Sequence, residues 1–232
     1  MKRAALAGPA ALHRDHTFGP AGVVLPHPDA RPRDLSELIS KVIIVTLFSG
    51  MAVRLADDYM ATGRITGLLL LASESLVVVL TMFRRSAEAV DRTWQARLLT
   101  AFSMFGPPLV KPASLSAMAP DTFTAFVSAI GLAIVVTGKV SLGRSFGLTP
   151  ANRGIVSSGL YRFLRHPIYL GYLITHIGFV IANTVRWNLI ILAAADIALL
   201  LRAVREEKTL ALDHSYEEYM QRVRWRILPG VF

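Results

Sequence analysis

The sequence predicts an all-α fold: a polytopic transmembrane helical bundle with five to six spans and a cytosolic C-terminal helical segment. Three observations lead there. Of 232 residues, 53% are hydrophobic, with a mean hydropathy of +0.47, above the roughly 45–50% usual for soluble domains. Several uncharged apolar runs approach the ~20 residues a helix needs to cross the hydrocarbon layer. The net charge of +9 comes from Arg and Lys that lie mostly between and after those runs, as on the cytoplasmic face of a bilayer.

Taken in order, residues 1–34 are rich in Pro, Ala, His and Arg without periodicity, which predicts a flexible cytosolic tail. Ala4–Leu12 is too short, and too interrupted by Pro9, for the apolar core of a signal peptide. Residues 35–142 hold the N-terminal spans. The first runs from about Leu35 to Ala56 and the second from about Ile65 to Phe83. A third, about Leu98 to Met118, is interrupted by Pro107, Pro108 and Pro112 and contains Lys111, which predicts a broken or re-entrant helix packed against protein. The fourth, Thr122 to Leu142, is clean. Residues 143–232 form the C-terminal region, with a fifth span from Pro167 to about Asn183 and a sixth from near Trp187 past Leu201 into a charged extension.

Charge orients the spans. Arg31 and Arg33 lie in the tail; Arg84, Arg85, Arg92 and Arg97 follow the second span; Arg144, Arg153, Arg162 and Arg165 follow the fourth; Arg205, Lys208, Arg222, Arg224 and Arg226 follow the sixth. Six spans with both termini cytoplasmic satisfy the positive-inside rule. The alternation fails if the third segment does not cross.

Composition also excludes chemistry. Without cysteine there are no disulfides, thiolate nucleophiles or Cys-based metal sites. The six histidines have no zinc-hydrolase spacing, so no metal is expected. No basic, aromatic-rich soluble domain is left over for nucleic acid.

The informative stretch is Gly159–Pro229. Pro167 suits the first turn of a helix, whose N-terminus presents unpaired N–H groups and partial positive charge. Arg165 and His166 directly precede it, so an anion site and an ordinary positive-inside loop are both open readings. Tyr169, Tyr172 and His176 share one face of the fifth span, and Gly171, Thr175 and Gly178 are small enough for close packing. In the sixth span Asp196, Leu200, Ala203 and Glu207 share a face. Asp196 lies deep in the apolar run, where it must face the bundle interior or be protonated. Asn183 and Asn188 flank the short turn of this hairpin, which brings Arg165-His166-Pro167 near Arg205-Glu206-Glu207. Such a patch can hold a zwitterionic ligand or be a set of ordinary salt bridges. Beyond it, Ser215-Tyr-Glu-Glu218 predicts a capping box, and the alternating Arg222–Ile227 predicts a strip lying on the membrane surface.

Arg165-His166-Pro167-x-Tyr169-x-Gly171, followed by Glu206-Glu207-x-x-Leu210, Tyr219 and Pro229, resembles the isoprenylcysteine carboxyl methyltransferase and phospholipid methyltransferase group over about Val156 to Pro229. One departure is His214-Ser215, where the group often has Phe-Gly. The resemblance implies S-adenosyl-L-methionine bound at the cytosolic end of the last hairpin by His166, Pro167, Tyr169, Gly171, Glu206 and Glu207, with Tyr161, Arg165 and Tyr219 in second rank. It implies methyl transfer to a lipophilic acceptor drawn from the lipid bilayer. Positioning alone can greatly accelerate such a displacement. A carboxylate acceptor needs only orientation, by Arg165 or Arg202; an amine or thiol needs proton removal, by Glu74 or a tyrosine. Arg144 and Ser145, in the loop after the fourth span, are within reach of the site. The arginine- and alanine-rich composition suggests a bacterial inner membrane. Two rivals are an NADPH-dependent membrane reductase of the steroid-reductase type, which often has Glu where this chain has Gly171, and a non-catalytic membrane subunit. The acceptor and the oligomeric state are not legible.

Overall fold

Apolar composition becomes helix here because a chain in lipid must satisfy its own backbone polar groups. The computed structural model describes residues 23–24, 35–82, 89–91, 93–142, 151–152 and 156–232. Seven α-helices are present among them: α1 (Leu35–Thr62), α2 (Thr66–Met82), α3 (Trp94–Phe105), α4 (Asp121–Leu142), α5 (Pro167–Ala182), α6 (Arg186–Leu210) and α7 (His214–Arg222). One feature is not helical. β1 (Val23–Val24), β2 (Ala89–Asp91) and β3 (Ala151–Asn152) form a small antiparallel ribbon in the order β1-β2-β3. Most of the tail before Leu35, Arg84, Arg85 and Arg92, and Arg144 and Ser145 in the loop after α4, lie outside the described residues.

Among the described residues, α4 and α6 are each long and apolar enough to cross a membrane, and parts of α2 and α5 are shorter apolar helices. Their outward faces suit lipid. Phe126, Val140, Leu189, Ile190, Ile197 and Leu201 are all more than half exposed, as side chains facing lipid would be. The fit is to an integral membrane protein.

The third segment is broken where its prolines predict. α3 has 12 residues, about 18 Å at 1.5 Å per residue, and stops at Gly106. Short 3₁₀ turns follow at Pro107–Leu109 and Ser114–Ser116. The segment nevertheless travels the length of α6. At one end Arg205 Nη1 donates to Thr93 Oγ1 at 3.1 Å. At the other, Trp187 Nε1 donates to the Leu109 carbonyl at 2.8 Å. Asn188 pins Lys111 from both sides, accepting from its N–H at 2.9 Å and donating to its carbonyl at 2.8 Å. Asn183 accepts from the Ala113 N–H at 2.8 Å. Two side chains thus satisfy extended backbone that has no helix to satisfy it.

The same end gathers the other turns. α1 closes on Gly63, whose φ of +72° is the left-handed conformation that ends helices. Arg64 then reaches the Ala182 carbonyl at 2.8 Å and Asp121 at 3.6 Å, while Thr66 donates to Asp121 at 2.6 Å. The α1–α2 turn, residues 111–121 and the α5–α6 turn therefore share one end of the bundle. The starts of α3 and α5 and the ends of α4 and α6 share the other.

α5 is the central helix, with α2, α4 and α6 all packed on it. Its contact with α4 is backbone to backbone. A Cβ on Gly171 would lie 2.6 Å from Val135 Cγ2 and 2.7 Å from the Gly131 carbonyl oxygen; one on Gly131 would lie 2.7 Å from the Gly171 carbonyl oxygen. Gly171, Thr175 and Gly178 on α5 face Gly131, Val135 and Ser128 on α4, the small-residue packing expected between membrane helices.

The C-terminal segment departs from expectation twice. The N-cap of α7 is Asp213, which accepts from the Ser215 N–H at 3.0 Å, so the capping residue lies two positions before Ser215. Residues 223–227 do not form a surface strip. Val223 and Ile227 are buried, and the Trp225 and Arg226 carbonyls accept from the Arg165 and His166 N–H groups at 2.9 and 2.8 Å. Those backbone bonds clamp the segment against the entrance to α5.

Candidate functional site

The clamp fixes Arg165 and His166, and helix geometry does the rest. Pro167 occupies the first turn of α5, where its missing N–H has no partner to lose. One turn on, Tyr169 stacks under the His166 ring with centroids 5.2 Å apart. From α6, Arg202 and Glu206 are one turn apart, with Glu207 beside them.

These side chains form a continuous charged network. Glu207 accepts from Arg226 Nε at 2.8 Å, pairs with Arg165 Nη1 at 3.0 Å and meets His166 Nε2 at 3.2 Å. Glu206 accepts from the Tyr169 hydroxyl at 2.6 Å and from Arg202 Nη2 at 3.1 Å. Arg202 also lies over the Tyr169 ring, 5.6 Å from its centroid, a cation–π contact. His166, Glu207 and Arg202 are only 5–7% exposed, so these pairs are shielded from water. Arg165 Nε is buried without a hydrogen-bond partner among the described residues. A buried donor in that state is costly and fits a ligand that brings an acceptor. Three arginines facing two carboxylates give the site both signs of charge, as a zwitterionic ligand would need.

Tyr161 and Tyr219 act through the wall of the site. The Tyr219 hydroxyl donates to the Tyr161 carbonyl at 2.6 Å, locking α7 under the loop that delivers Arg165. Gly159, at φ +60° and with Ser141 Oγ 2.5 Å from where a Cβ would be, turns that loop against the end of α4. Burial pushes the hydroxyls of Tyr161, Tyr216 and Tyr219 well above the usual tyrosine range, so they are donors at neutral pH. Gly171 faces α4, against the Val135 side chain and the backbone of Gly131 and Val135.

Glu74 does not join this network. It lies deeper, on α2, with its carboxylate 3.6 Å from His176 Nε2. Asp196 meets the other ring nitrogen, Nδ1, at 2.6 Å, and Tyr172 stacks on the same ring at 6.2 Å. Lys139 completes the group: fully buried in α4, it donates to the Ser73 carbonyl at 3.1 Å and lies 4.9 Å over the Tyr172 ring. Lys139 lies within the apolar fourth span, where a lone ammonium inside an apolar run is the sequence signal of an interior site. Arg226 was legible only as one basic residue among several, because its role depends on the C-terminal clamp.

Most of both clusters, all but Glu74, the Ser73 carbonyl and Arg226, lies in a segment with a known family likeness. Residues 122–218 match the phospholipid methyltransferase family. The match runs from the start of α4 into α7, across the α5–α6 hairpin, and bears out the resemblance carried by the His166-Pro167 and Glu206-Glu207 motifs. The family that this segment resembles is one of methyltransferases. No curated protein matches the chain.

Proposed function

We propose that the chain is an integral membrane methyltransferase that uses S-adenosyl-L-methionine and methylates a lipophilic acceptor. The observation that carries this reading is the shielded Arg165–Glu207–His166 and Tyr169–Glu206–Arg202 network, with its unsatisfied Arg165 Nε, inside the family-matched segment. In this reading Arg165 takes the cofactor carboxylate, and Glu206 and Glu207 take its ammonium. His166 and Tyr169 form the adjoining wall, and Pro167 sets where α5 begins. Tyr161 and Tyr219 hold that wall, and Gly171 holds α5 against α4. Arg202 joins the charged end to the bundle interior. The bound cofactor supplies a methyl group activated on a sulfonium. The protein's contribution is to hold donor and acceptor in line and to exclude water.

The alternating placement of the turns supports six crossings, with the arginine-rich end carrying Arg165, Arg205 and Arg226 on the cytoplasmic side of a bacterial inner membrane, where both termini also lie. Isothermal titration of the purified protein in lipid nanodiscs tests the assignment. S-adenosylhomocysteine is expected to bind and NADPH is not. NADPH binding without S-adenosylhomocysteine binding overturns it in favour of a reductase, and binding of neither overturns it in favour of a non-catalytic subunit.

A further inference from the structure

About two turns deeper than the charged network, four helices place ionisable side chains around one imidazole. Glu74 comes from α2, Lys139 from α4, Tyr172 and His176 from α5, and Asp196 from α6. Glu74, Lys139 and His176 are at most 4% exposed and Tyr172 is 8% exposed. Such groups are expensive within an apolar bundle and are normally paired to completion. These are not: Glu74 Oε1, His176 Nε2 and the Tyr172 hydroxyl are all buried without a hydrogen-bond partner among the described residues. With Asp196 as a carboxylate, its 2.6 Å contact with His176 Nδ1 places a proton on Nδ1, so in the neutral ring the lone pair is on Nε2. Nε2 lies 3.6 Å from the Glu74 carboxylate, too far for a hydrogen bond of ordinary length and near enough for the carboxylate to stabilise a proton received on the ring, with the acceptor reaching Nε2 from beside the pair. His176 shares its helix face with Tyr169, seven residues or about 10 Å along the axis at 1.5 Å per residue, with Tyr172 between them.

We propose that the Glu74–His176–Asp196 cluster is the proton-accepting subsite for the methyl acceptor, with His176 Nε2 as the atom that receives the proton and Tyr172 as a hydroxyl that holds the acceptor head. The inference rests on the methyltransferase reading above. It makes the acceptor an amine, thiol or hydroxyl compound that enters from the bilayer, in place of a carboxylate, which has no proton to give up. In the step, the lone pair of the acceptor heteroatom forms a bond to the methyl carbon. The methyl–sulfur bond breaks and its electron pair stays on sulfur as a neutral thioether. The heteroatom proton passes to His176 Nε2.

Charge bookkeeping across the step favours this arrangement. With Lys139 as its ammonium, the carboxylates of Glu74 and Asp196 leave the cluster one negative charge when His176 is neutral. That charge faces a sulfonium before transfer. Afterwards the sulfur is neutral and the cluster, now holding the proton, is neutral as well, so no unbalanced charge is left in the apolar interior at either stage. A purely structural ion cluster would fasten the four helices equally well, but it gives no reason for three buried polar atoms of one cluster to lack hydrogen-bond partners among the described residues.

The test uses the full chain in nanodiscs, methyl-labelled S-adenosylmethionine and a membrane extract as the source of acceptor, with the labelled products then treated with mild alkali. Label on nitrogen, sulfur or an ether oxygen survives; a methyl ester releases it as methanol. Alkali-stable label is expected, and alkali-labile label overturns the proposal. His176→Gln is expected to lower incorporation about 100-fold at neutral pH, the scale of a lost general base. The loss should diminish as pH rises and hydroxide takes over proton removal, with S-adenosylhomocysteine affinity unchanged. Asp196→Asn, which keeps the side-chain volume, should show the same pH-dependent recovery. Incorporation by both variants at the parental rate, or a loss that no pH restores although S-adenosylhomocysteine still binds, overturns the proposal. Failure of the parent protein itself to bind S-adenosylhomocysteine would instead remove the reading on which it rests.

Discussion

Replacing Glu207 by glutamine removes one charge and almost no volume from the centre of the proposed cofactor site. Glu207 is 5% exposed and meets three donors: Arg226 Nε at 2.8 Å, Arg165 Nη1 at 3.0 Å and His166 Nε2 at 3.2 Å. Removing one partner of a buried ion pair costs about 3–5 kcal/mol. Two features place this case at the lower end. Arg226 is about one-third exposed and can turn to water, and Arg165 keeps its 2.8 Å bond to the Arg224 carbonyl. A loss of about 3 kcal/mol corresponds to about two powers of ten in any equilibrium that requires the network to be formed. The assay is titration of Glu207→Gln with S-adenosylhomocysteine in nanodiscs, alongside thermal unfolding. The expected result is an affinity about 100-fold weaker with helix content unchanged, because the small-residue packing of α4 on α5 does not involve Glu207. Affinity within about twofold of the parent at an unaltered melting temperature would refute the idea that this carboxylate organises the site.

Three further outcomes follow from other parts of the structure. Gly171→Leu drives a side chain into Val135 and the Gly131 carbonyl and is expected to cost at least the 1–3 kcal/mol typical of overpacking, seen as a lower melting temperature in detergent, whereas exposed Ile190→Leu should leave it unchanged. Asn188→Ala removes the side-chain partner of both the N–H and the carbonyl of Lys111 and is expected to cost about 1–2 kcal/mol, with faster proteolysis within residues 106–118 as the local readout. In alkali, Tyr161, Tyr216 and Tyr219 resist ionisation in the fold because they are buried. Their contribution to stability is therefore complete below the ordinary tyrosine value of about 10 and declines as pH rises above it, so melting temperature should hold to about pH 9.5 and then fall; a decline beginning below about pH 9 would contradict this.

The parts of the molecule legible in the sequence are those set by local chemistry. Apolar runs located α2, α4, α5 and the start of α6 to within a residue or two, and Pro107-Pro108 marked the break after α3. The i, i+3, i+7 spacing placed Tyr169, Tyr172 and His176 on one face, and the hairpin argument brought His166 to Glu207. What was not legible depends on contacts distant in sequence. Nothing near Arg226 indicates that it turns back onto Glu207; that follows from backbone pairing between residues 165–166 and 225–226. Glu74, His176 and Asp196 each stood out as a polar residue in an apolar helix, but only the packing of α2 and α6 on α5 joins them, with Lys139 added from α4. Asn183 and Asn188 looked like turn residues, yet their side chains serve the broken third segment. Gly171 fits the family motif, while its neighbours assign it to the α4–α5 contact.

Light-driven cross-linking of methyl-labelled S-adenosylmethionine to the full chain in nanodiscs, followed by peptide mapping, tests the central claim most directly. The account predicts label confined to peptides spanning residues 161–172 and 202–226, competed away by S-adenosylhomocysteine and lost in Arg165→Ala. Competable label on α1 or α2 instead, with residues 161–172 and 202–226 unlabelled, would contradict it.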